Sequence, residues 1–314
     1  MRALRVVRGE RGRIVDTAGP ADQSGGVIVD ITHSSLNYKD ALAITGRPGV
    51  IRADTLIAGI DLVGRRRDTG ERVLVNGCGL GETHDGGLAT EAMVPEEWLI
   101  PVPARFTDAQ AAALGTAGYT AALCVLALGD LAAEDEVVVT GATGGVGSLA
   151  IALLRAGGIS VAAVSGKAKS ESGYLRRLGA GSVLDRAELS EPGKALQSER
   201  WAGGIDTVGG PILANLLSQT RYGGTIAACG LAAAPDVHAS MMPFILRAVS
   251  LVGINSVFTP RPHREAAWYL LESRIDTGVL DSITTSIGLA DAVATAERML
   301  AGETTGRIVV DVHS

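Results

Sequence analysis

The sequence predicts an α/β protein in which a β-rich unit precedes a doubly wound parallel sheet. Three observations carry this. Short apolar runs punctuated by Gly, Asp and Pro fill the first third of the chain. From Glu136 onward, strand and helix signals alternate. One strand, Glu136–Thr140, runs straight into the turn Gly141-Ala-Thr-Gly144-Gly145-Val-Gly147 at the head of a helix.

In chain order, Met1-Arg-Ala-Leu-Arg-Val-Val reads as a short strand, without an apolar leader or cleavage site. The stretches Gly26–Ile31, Leu56–Val63, Glu71–Val75, Leu88–Val94 and Trp98–Val102 read as strands of a barrel-like or partly open unit. Thr107–Leu114 opens with Thr and Asp and continues in Ala, which predicts a capped helix. Ala117–Leu128 reads as a second, buried helix. The alternation then places strands at Glu136–Thr140, Ile159–Val164, Ser182–Leu184, Gly204–Val208, Thr225–Cys229 and Ser250–Gly253. Helices fall between them at Val146–Ala156, Ser170–Leu178 and Ile212–Gln219. Two further helices, Arg264–Leu271 and Leu289–Ala301, precede a final strand, Arg307–Val312. That strand lies outside the alternation and is expected to pair back into the N-terminal unit. Loop Leu189–Arg200 is expected to be the flexible insertion.

Composition narrows the function. At 314 residues, 46% hydrophobic and 20% charged, the chain can fill two cores. A net charge of −6 argues against a nucleic-acid or anionic-membrane footprint, since both need a basic surface. No apolar run reaches the length of a membrane span, so none is expected. Cys78, Cys124 and Cys229 are odd in number, far apart and without metal spacing; they read as reduced, buried thiols of a cytoplasmic protein.

A buried strand, a glycine turn and a helix N-terminus make an anion site. The turn lets the backbone approach a pyrophosphate, and the helix end offers free N–H groups. Thr143, Gly144, Gly145, Val146 and Gly147 are the residues so placed. The competing reading, a tight turn in some other α/β protein, fits the flanking strand and helix less well. The next strand distinguishes the two nicotinamide cofactors. Readers of NAD end it on Asp or Glu, about 20 residues after the first glycine. Here it ends Val164-Ser165-Gly166-Lys167-Ala168-Lys169, a hydroxyl and two cations, with Arg186 after the following strand. Only four Lys occur among 28 basic residues, and two fall in this segment. The pattern points to a 2′-phosphate and hence to NADPH, the alternative being solvated surface lysines.

Ser34-Ser35-Leu36-Asn37-Tyr38-Lys39-Asp40, lying ahead of this nucleotide unit, resembles the medium-chain dehydrogenase/reductase superfamily. The segments Gly59-Ile-Asp61, Gly79-Leu-Gly-Glu82, Gly115-Thr-Ala-Gly118-Tyr-Thr-Ala, Trp201-Ala-Gly, Ala227-Ala-Cys-Gly-Leu231, Pro243-Phe-Ile-Leu-Arg247 and Ser256-Val extend the likeness along the whole chain. Within the superfamily they resemble the YhdH/YhfP-type quinone oxidoreductases, a group that includes NADPH-dependent acrylyl-CoA reductases. The resemblance implies a GroES-like catalytic domain from residues 1–116 and 246–314, and an inserted Rossmann NADPH-binding domain at 117–245. It also implies a homodimer, joined through the edge strand in Ser250–Thr259.

Zinc members of the superfamily use Cys, a Gly-His-Glu segment and four close cysteines. Here Asn37-Tyr38 and Gly59-Ile60-Asp61 stand at those places, so no metal is expected. His33, His84, His238, His263 and His313 read as surface or packing residues. What remains is hydride delivery to an activated C=C, as in a short enoyl-CoA, or to a quinone or reactive enone. A third reading is a cofactor-binding protein with little turnover. Asn37 is a candidate amide donor to the developing oxyanion and Tyr38 a candidate proton donor, since an ordinary phenol remains protonated at pH 7. The competing reading for Tyr38 is a packing aromatic; for Asp40, a helix cap. By resemblance, Tyr38, Leu231, Ile245 and Ser256 surround the nicotinamide end, although Leu231 and Ile245 alone would read as core. Arg47, Arg52 and Arg247 are candidates for an acyl-CoA phosphate. By the resemblance, Asp85 stands where the group commonly carries Trp, and a second Trp of the group, near Cys78, is also missing, which predicts an altered pocket wall.

Overall fold

The structure is a computed structural model and describes residues 1–20 and 26–314. The chain runs β1 (Arg2–Val7), β2 (Arg13–Asp16), β3 (Gly26–Leu36), α1 (Tyr38–Ile44), β4 (Thr55–Ile57), β5 (Asp61–Arg66), β6 (Arg72–Asn76), β7 (Glu91–Pro95), β8 (Ile100–Pro101) and α2 (Asp108–Ala127). It continues β9 (Glu136–Thr140), α3 (Gly145–Ala156), β10 (Ser160–Ser165), α4 (Ser172–Leu178), β11 (Ser182–Asp185), β12 (Trp201–Asp206), α5 (Gly210–Gln219), β13 (Thr220–Ala228), α6 (Met242–Arg247) and β14 (Ser250–Gly253). It closes with α7 (Arg261–Arg274), α8 (Thr277–Ser282), β15 (Thr284–Gly288), α9 (Ala292–Leu300) and β16 (Arg307–Asp311).

Two compact units result: Met1–Thr116 with Leu280–Ser314, and Ala117–Val279. The chain thus returns to the first unit at 279/280 and not at 245/246 as expected. The physical reason is β14, which pairs in parallel with β13 and so belongs to the second unit's sheet.

In the first unit, β15-β16-β3-β5-β6-β8 form one sheet, with β7 also on β3, and β2-β1-β4 form another. The final strand β16 pairs antiparallel with β3, back into the N-terminal unit as expected. The expected strand Leu56–Val63 is two strands, because the chain turns at Ala58–Ile60 between β4 and β5. Leu4, Val6, Leu36 and Ile44 pack with Leu289, Ala296 and Val310, so the two termini share one core. The two expected helices at 107–128 are halves of α2, broken at Gly115 (φ 43°, ψ −148°). Thr107 Oγ1 accepts from the Gln110 amide and Gln110 Oε1 from the Thr107 amide, each at 3.1 Å, a reciprocal cap. By length and composition α2 is apolar enough to cross a membrane, yet 72% of its most apolar 18-residue stretch is buried inside the protein.

In the second unit the strand order is β11-β10-β9-β12-β13-β14, with every pair parallel. Numbered within the unit, this is the 3-2-1-4-5-6 order of the Rossmann fold, whose ligands lie at the carboxyl ends of the strands beside the β9/β12 reversal. Val137, Val138 and Val139 of β9 are buried on both faces, as in a sheet covered by helices on each side. Loop Leu189–Arg200, expected to be flexible, is pinned instead. Asn215 Nδ2 donates to the carbonyls of Leu189 (2.9 Å) and Glu191 (2.8 Å), and the Arg200 amide donates to the Gln219 carbonyl at 2.8 Å.

Candidate active site

At the head of α1 the backbone leaves β3 and turns into a helix at Asn37. Asp40 caps that helix: its Oδ2 accepts from the Asn37 amide at 2.9 Å. Its Oδ1 accepts from the Ile60 amide at 2.9 Å, tying α1 to the Gly59-Ile60-Asp61 turn. Asp61 is buried and receives four donors. Oδ1 takes the Thr116 amide (2.8 Å) and hydroxyl (2.7 Å); Oδ2 takes Ser35 Oγ (2.5 Å) and Asn37 Nδ2 (2.8 Å). Asn37 Nδ2 also reaches Asp40 Oδ2 at 3.1 Å, while Asn37 Oδ1 accepts from Arg307 Nη1 at 3.1 Å. Arg307 is itself buried and donates from Nε to the Ala113 carbonyl at 2.5 Å.

This network corrects the expectation for Asn37. Both faces of its carboxamide are engaged by buried partners, so it orients its neighbours and has no hydrogen left for a substrate oxygen. Tyr38 is the opposite case. It begins α1, is 48% exposed, and its hydroxyl has no partner among the described residues. A buried polar network therefore holds the backbone from which an unengaged phenol projects. Burial, followed by the neighbouring Asp61 charge, pushes the Asp40 carboxyl up to about 7. Lys39 turns aside to Glu82 at 2.8 Å.

Arg307, Thr116 and Ser35 escaped the sequence reading. Arg307 opens a strand of Ile and Val, and a charge at the start of a buried strand was the one available signal. Asp85 is exposed, and its Oδ1 accepts from the Ile57 amide at 2.8 Å, which staples the loop after β6 to β4. Arg247 is likewise engaged, donating to the carbonyls of Ser218 (2.9 Å) and Gln197 (2.7 Å) and pairing with Glu199 at 3.1 Å. It is not free for an acyl-CoA phosphate.

In the second unit, Gly144 caps α3 without a side-chain acceptor, and the turn leaves β9 so tightly that a Cβ on Gly147 would lie 2.4 Å from the Gly141 carbonyl oxygen. Ser165 ends β10. Its Oγ meets Thr143 Oγ1 at 3.0 Å and accepts the Lys167 amide at 3.0 Å, so it joins the glycine turn to the β10 loop. A Cβ on Gly166 would lie 3.0 Å from the Arg186 guanidinium carbon. Ser165, Gly166, Lys167 and Arg186 are thus gathered at one strand end, and Arg186 makes no ion pair among the described residues. Asp206, buried at the end of β12, accepts from Thr140 Oγ1 (2.7 Å) and the Gly209 amide (2.8 Å), and burial raises its pKa. It fixes β9 against β12 at the strand reversal.

Beyond β13 and β14 lies an open hollow of about 490 Å³ lined by Gly209, Cys229, Leu231, Ile254 and Asn255. Leu231 is 66% exposed and Ile245 73% exposed, so neither belongs to the core, against the plain reading of their side chains. Ser256, half-buried, follows the hollow's last lining residue. Among the described residues, no group of three or more His, Cys, Asp or Glu side chains is placed to share a metal ion.

Comparison with known proteins agrees with this geometry. Residues 145–272 match the family described as zinc-binding dehydrogenase. The acrylyl-CoA reductase AcuI of Ruegeria pomeroyi is 40% identical over 92% of this chain and 91% of its own. The YhdH oxidoreductase of Salmonella enterica, crystallised with NADP, is 44% identical and superposes with a TM-score of 0.95 over 99% of this chain and 100% of that one. The YhfP protein of Bacillus subtilis, crystallised with NAD bound, is 36% identical with a TM-score of 0.92 over 99% of each chain. The zinc in the matched family's description finds no ligand set in the described residues. With its Rossmann strand order, its buried Asn37–Asp61 network and this whole-length identity, the chain belongs to the YhdH/YhfP group of medium-chain oxidoreductases.

Proposed function

We propose that the protein is an NADPH-dependent reductase of an activated C=C bond, with a short enoyl-CoA of the acrylyl-CoA type as substrate. The observation that carries the reading is the exposed, unengaged Tyr38 phenol on a buried, hydrogen-bonded scaffold, in a chain 40% identical to an acrylyl-CoA reductase.

The donor groups present fit NADPH. The glycine turn with the α3 N-terminus suits the pyrophosphate. Ser165, Lys167 and Arg186 suit a 2′-phosphate, and no carboxylate ends β10 to bind a free 2′-hydroxyl. Thr143, Gly144, Gly145, Val146 and Gly147 face the pyrophosphate in this reading. Leu231, Ile245 and Ser256 flank the nicotinamide end, beside the hollow after β13. The cofactor supplies a hydride to the substrate β-carbon. Negative charge then moves to the thioester oxygen, and the α-carbon takes a proton. Tyr38 Oη donates that proton and recovers one from solvent. Asn37, Asp40, Asp61 and Arg307 act by position: they fix the start of α1 and hence the direction of Tyr38. A cytoplasmic homodimer completes the proposal, with β14, which has one neighbour in its sheet, pairing edge to edge across a two-fold axis.

A quinone is the second reading, favoured by one observation. Cys78 is small, and among the described residues it is one of two non-glycine positions with positive φ (56°), so the loop after β6 presents no large ring there. Steady-state NADPH oxidation with acrylyl-CoA beside a simple benzoquinone separates the two. Efficient turnover of the thioester, with kcat/KM above roughly 10⁴ M⁻¹s⁻¹, is expected. Turnover of the quinone alone would replace the enoyl-CoA reading with that of a quinone reductase.

A further inference from the structure

Asp206 is the last residue of β12, at the strand reversal, and it is fully buried. The partners of its carboxylate are donors: Thr140 Oγ1 at 2.7 Å, the Gly209 amide at 2.8 Å and the Val208 amide. Among the described residues no cation pairs with it. An Asn side chain could accept the same hydroxyl without a charge, so pinning β9 to β12 does not explain a buried carboxylate and its desolvation cost. The hollow after β13 begins one hydrogen bond away. Gly209, whose amide binds the carboxylate, lines it. So does Cys229, whose amide and thiol donate to the Asp206 carbonyl oxygen at 2.9 and 3.5 Å. Among the described residues none that lines the hollow carries a charged side chain. The carboxylate thus sits one layer behind an uncharged wall, where its field is weakly screened.

We propose that the Asp206 carboxylate stabilises the oxidised nicotinamide ring in the hollow, and so favours NADP⁺ over NADPH and hydride release over hydride retention. The inference rests on the proposed function at one point, the seat of the nicotinamide in the hollow. The reduced ring is neutral and the oxidised ring carries one positive charge. Passing a hydride, one proton with two electrons, to the substrate β-carbon leaves that charge behind. A fixed negative charge behind the wall lowers the energy of the cationic ring and leaves the neutral ring almost untouched. Burial raises the Asp206 pKa, and the Thr140 hydroxyl and the Gly209 and Val208 amides oppose the rise, so these donors serve the ionised form. The titratable groups facing Asp206 are two thiols, Cys229 after β13 and Cys124 on α2, and a thiol carries no charge in the acid range.

Calorimetric titration of the full-length protein with NADP⁺ and with NADPH tests this. Asp206→Asn should weaken NADP⁺ roughly tenfold more than it weakens NADPH, the scale of one charge acting across a single wall. Thr140→Val removes a hydrogen bond and keeps the charge, so it should leave the ratio of the two affinities as in the wild type. In the wild type that ratio should shift against NADP⁺ as pH falls from about 8 to about 4.5, toward a carboxyl held above its ordinary 3.8. The 2′-phosphate is common to both cofactors and cancels from the ratio. Asp206→Asn should show no such shift, and the wild-type series alone decides the question where that variant does not fold. Equal weakening of both cofactors by Asp206→Asn, or a wild-type ratio that does not move with pH, would overturn the proposal and leave the NADPH reading standing. Binding of neither cofactor by the wild type would overturn both.

Discussion

Burial pushes the Asp40 carboxyl up to about 7 from its ordinary 3.8, with the Asp61 charge adding to the push. The folded protein therefore binds more protons than the unfolded chain between those values. Asp40's contribution to stability is complete below about pH 4 and is lost as pH rises to about 7. Urea midpoints measured from pH 5 to 8 should fall with rising pH in this window, and Asp40→Asn should flatten the slope. At Tyr38 the geometry leaves the hydroxyl free, so Tyr38→Phe should cut kcat by roughly 10²–10⁴, the usual contribution of a positioned general acid, with NADPH affinity unchanged in a titration. Unchanged kcat would take Tyr38 out of the chemistry. Arg186→Ala should weaken NADPH by roughly 10–100-fold, the worth of a charge-assisted contact of about 1.5–3 kcal/mol, and leave NADH binding as it was. Parts of this site are legible in the sequence: Tyr38 and the Ser165–Lys167 segment stand in local motifs whose chemistry is visible from neighbours alone. The role of Arg307 is not, because its partners Asn37 and Ala113 are set by the pairing of β16 with β3. Leu231 and Ile245 enter the candidate site through the resemblance alone, because an apolar side chain by itself reads as core until the fold shows it exposed.

Among the elements, α2 depends on its break. Gly115 has φ 43°, and a Cβ there would lie 2.6 Å from Asp61 Oδ2. Gly115→Ala combines a strained backbone with an intrusion on the Asp61 network. It should destabilise the protein by about 1–3 kcal/mol or more, read as a shift of the urea midpoint. The two halves of α2 were legible because Ala-rich stretches flank the Gly-Thr pair. The strands of the parallel sheet were legible for a different reason: covered on both faces, they read as unbroken apolar runs such as Val137–Val139. The split of Leu56–Val63 into β4 and β5 was not. Apolar content is continuous across Ala58–Ile60, and only the loop packed against it, stapled by Asp85, makes the chain turn. Loop Leu189–Arg200 has the composition of a mobile segment, but its anchors, Asn215 and Arg247, come from α5 and α6 and are not visible in its own sequence.

For the molecule as a whole, the β-rich first third and the alternating remainder translate into the two units, and β16 returns to β3. The misplaced return point shows where sequence patterning ends: Ser250–Gly253 is four residues long, and its membership is decided by hydrogen bonds to β13. That strand leaves an open sheet edge, and light scattering should give twice the 32.2 kDa chain mass. A monomer mass would remove the edge-to-edge dimer. The proposed reaction is hydride transfer to the β-carbon of an enoyl thioester. Acrylyl-CoA should be reduced with NADPH carrying deuterium at the transferable C4 position, in ordinary water, and the propionyl-CoA product examined by NMR and mass spectrometry. One deuterium at C3 and a solvent proton at C2 is the predicted result. Deuterium at C2, or NADPH consumed only when a quinone is supplied, would contradict it.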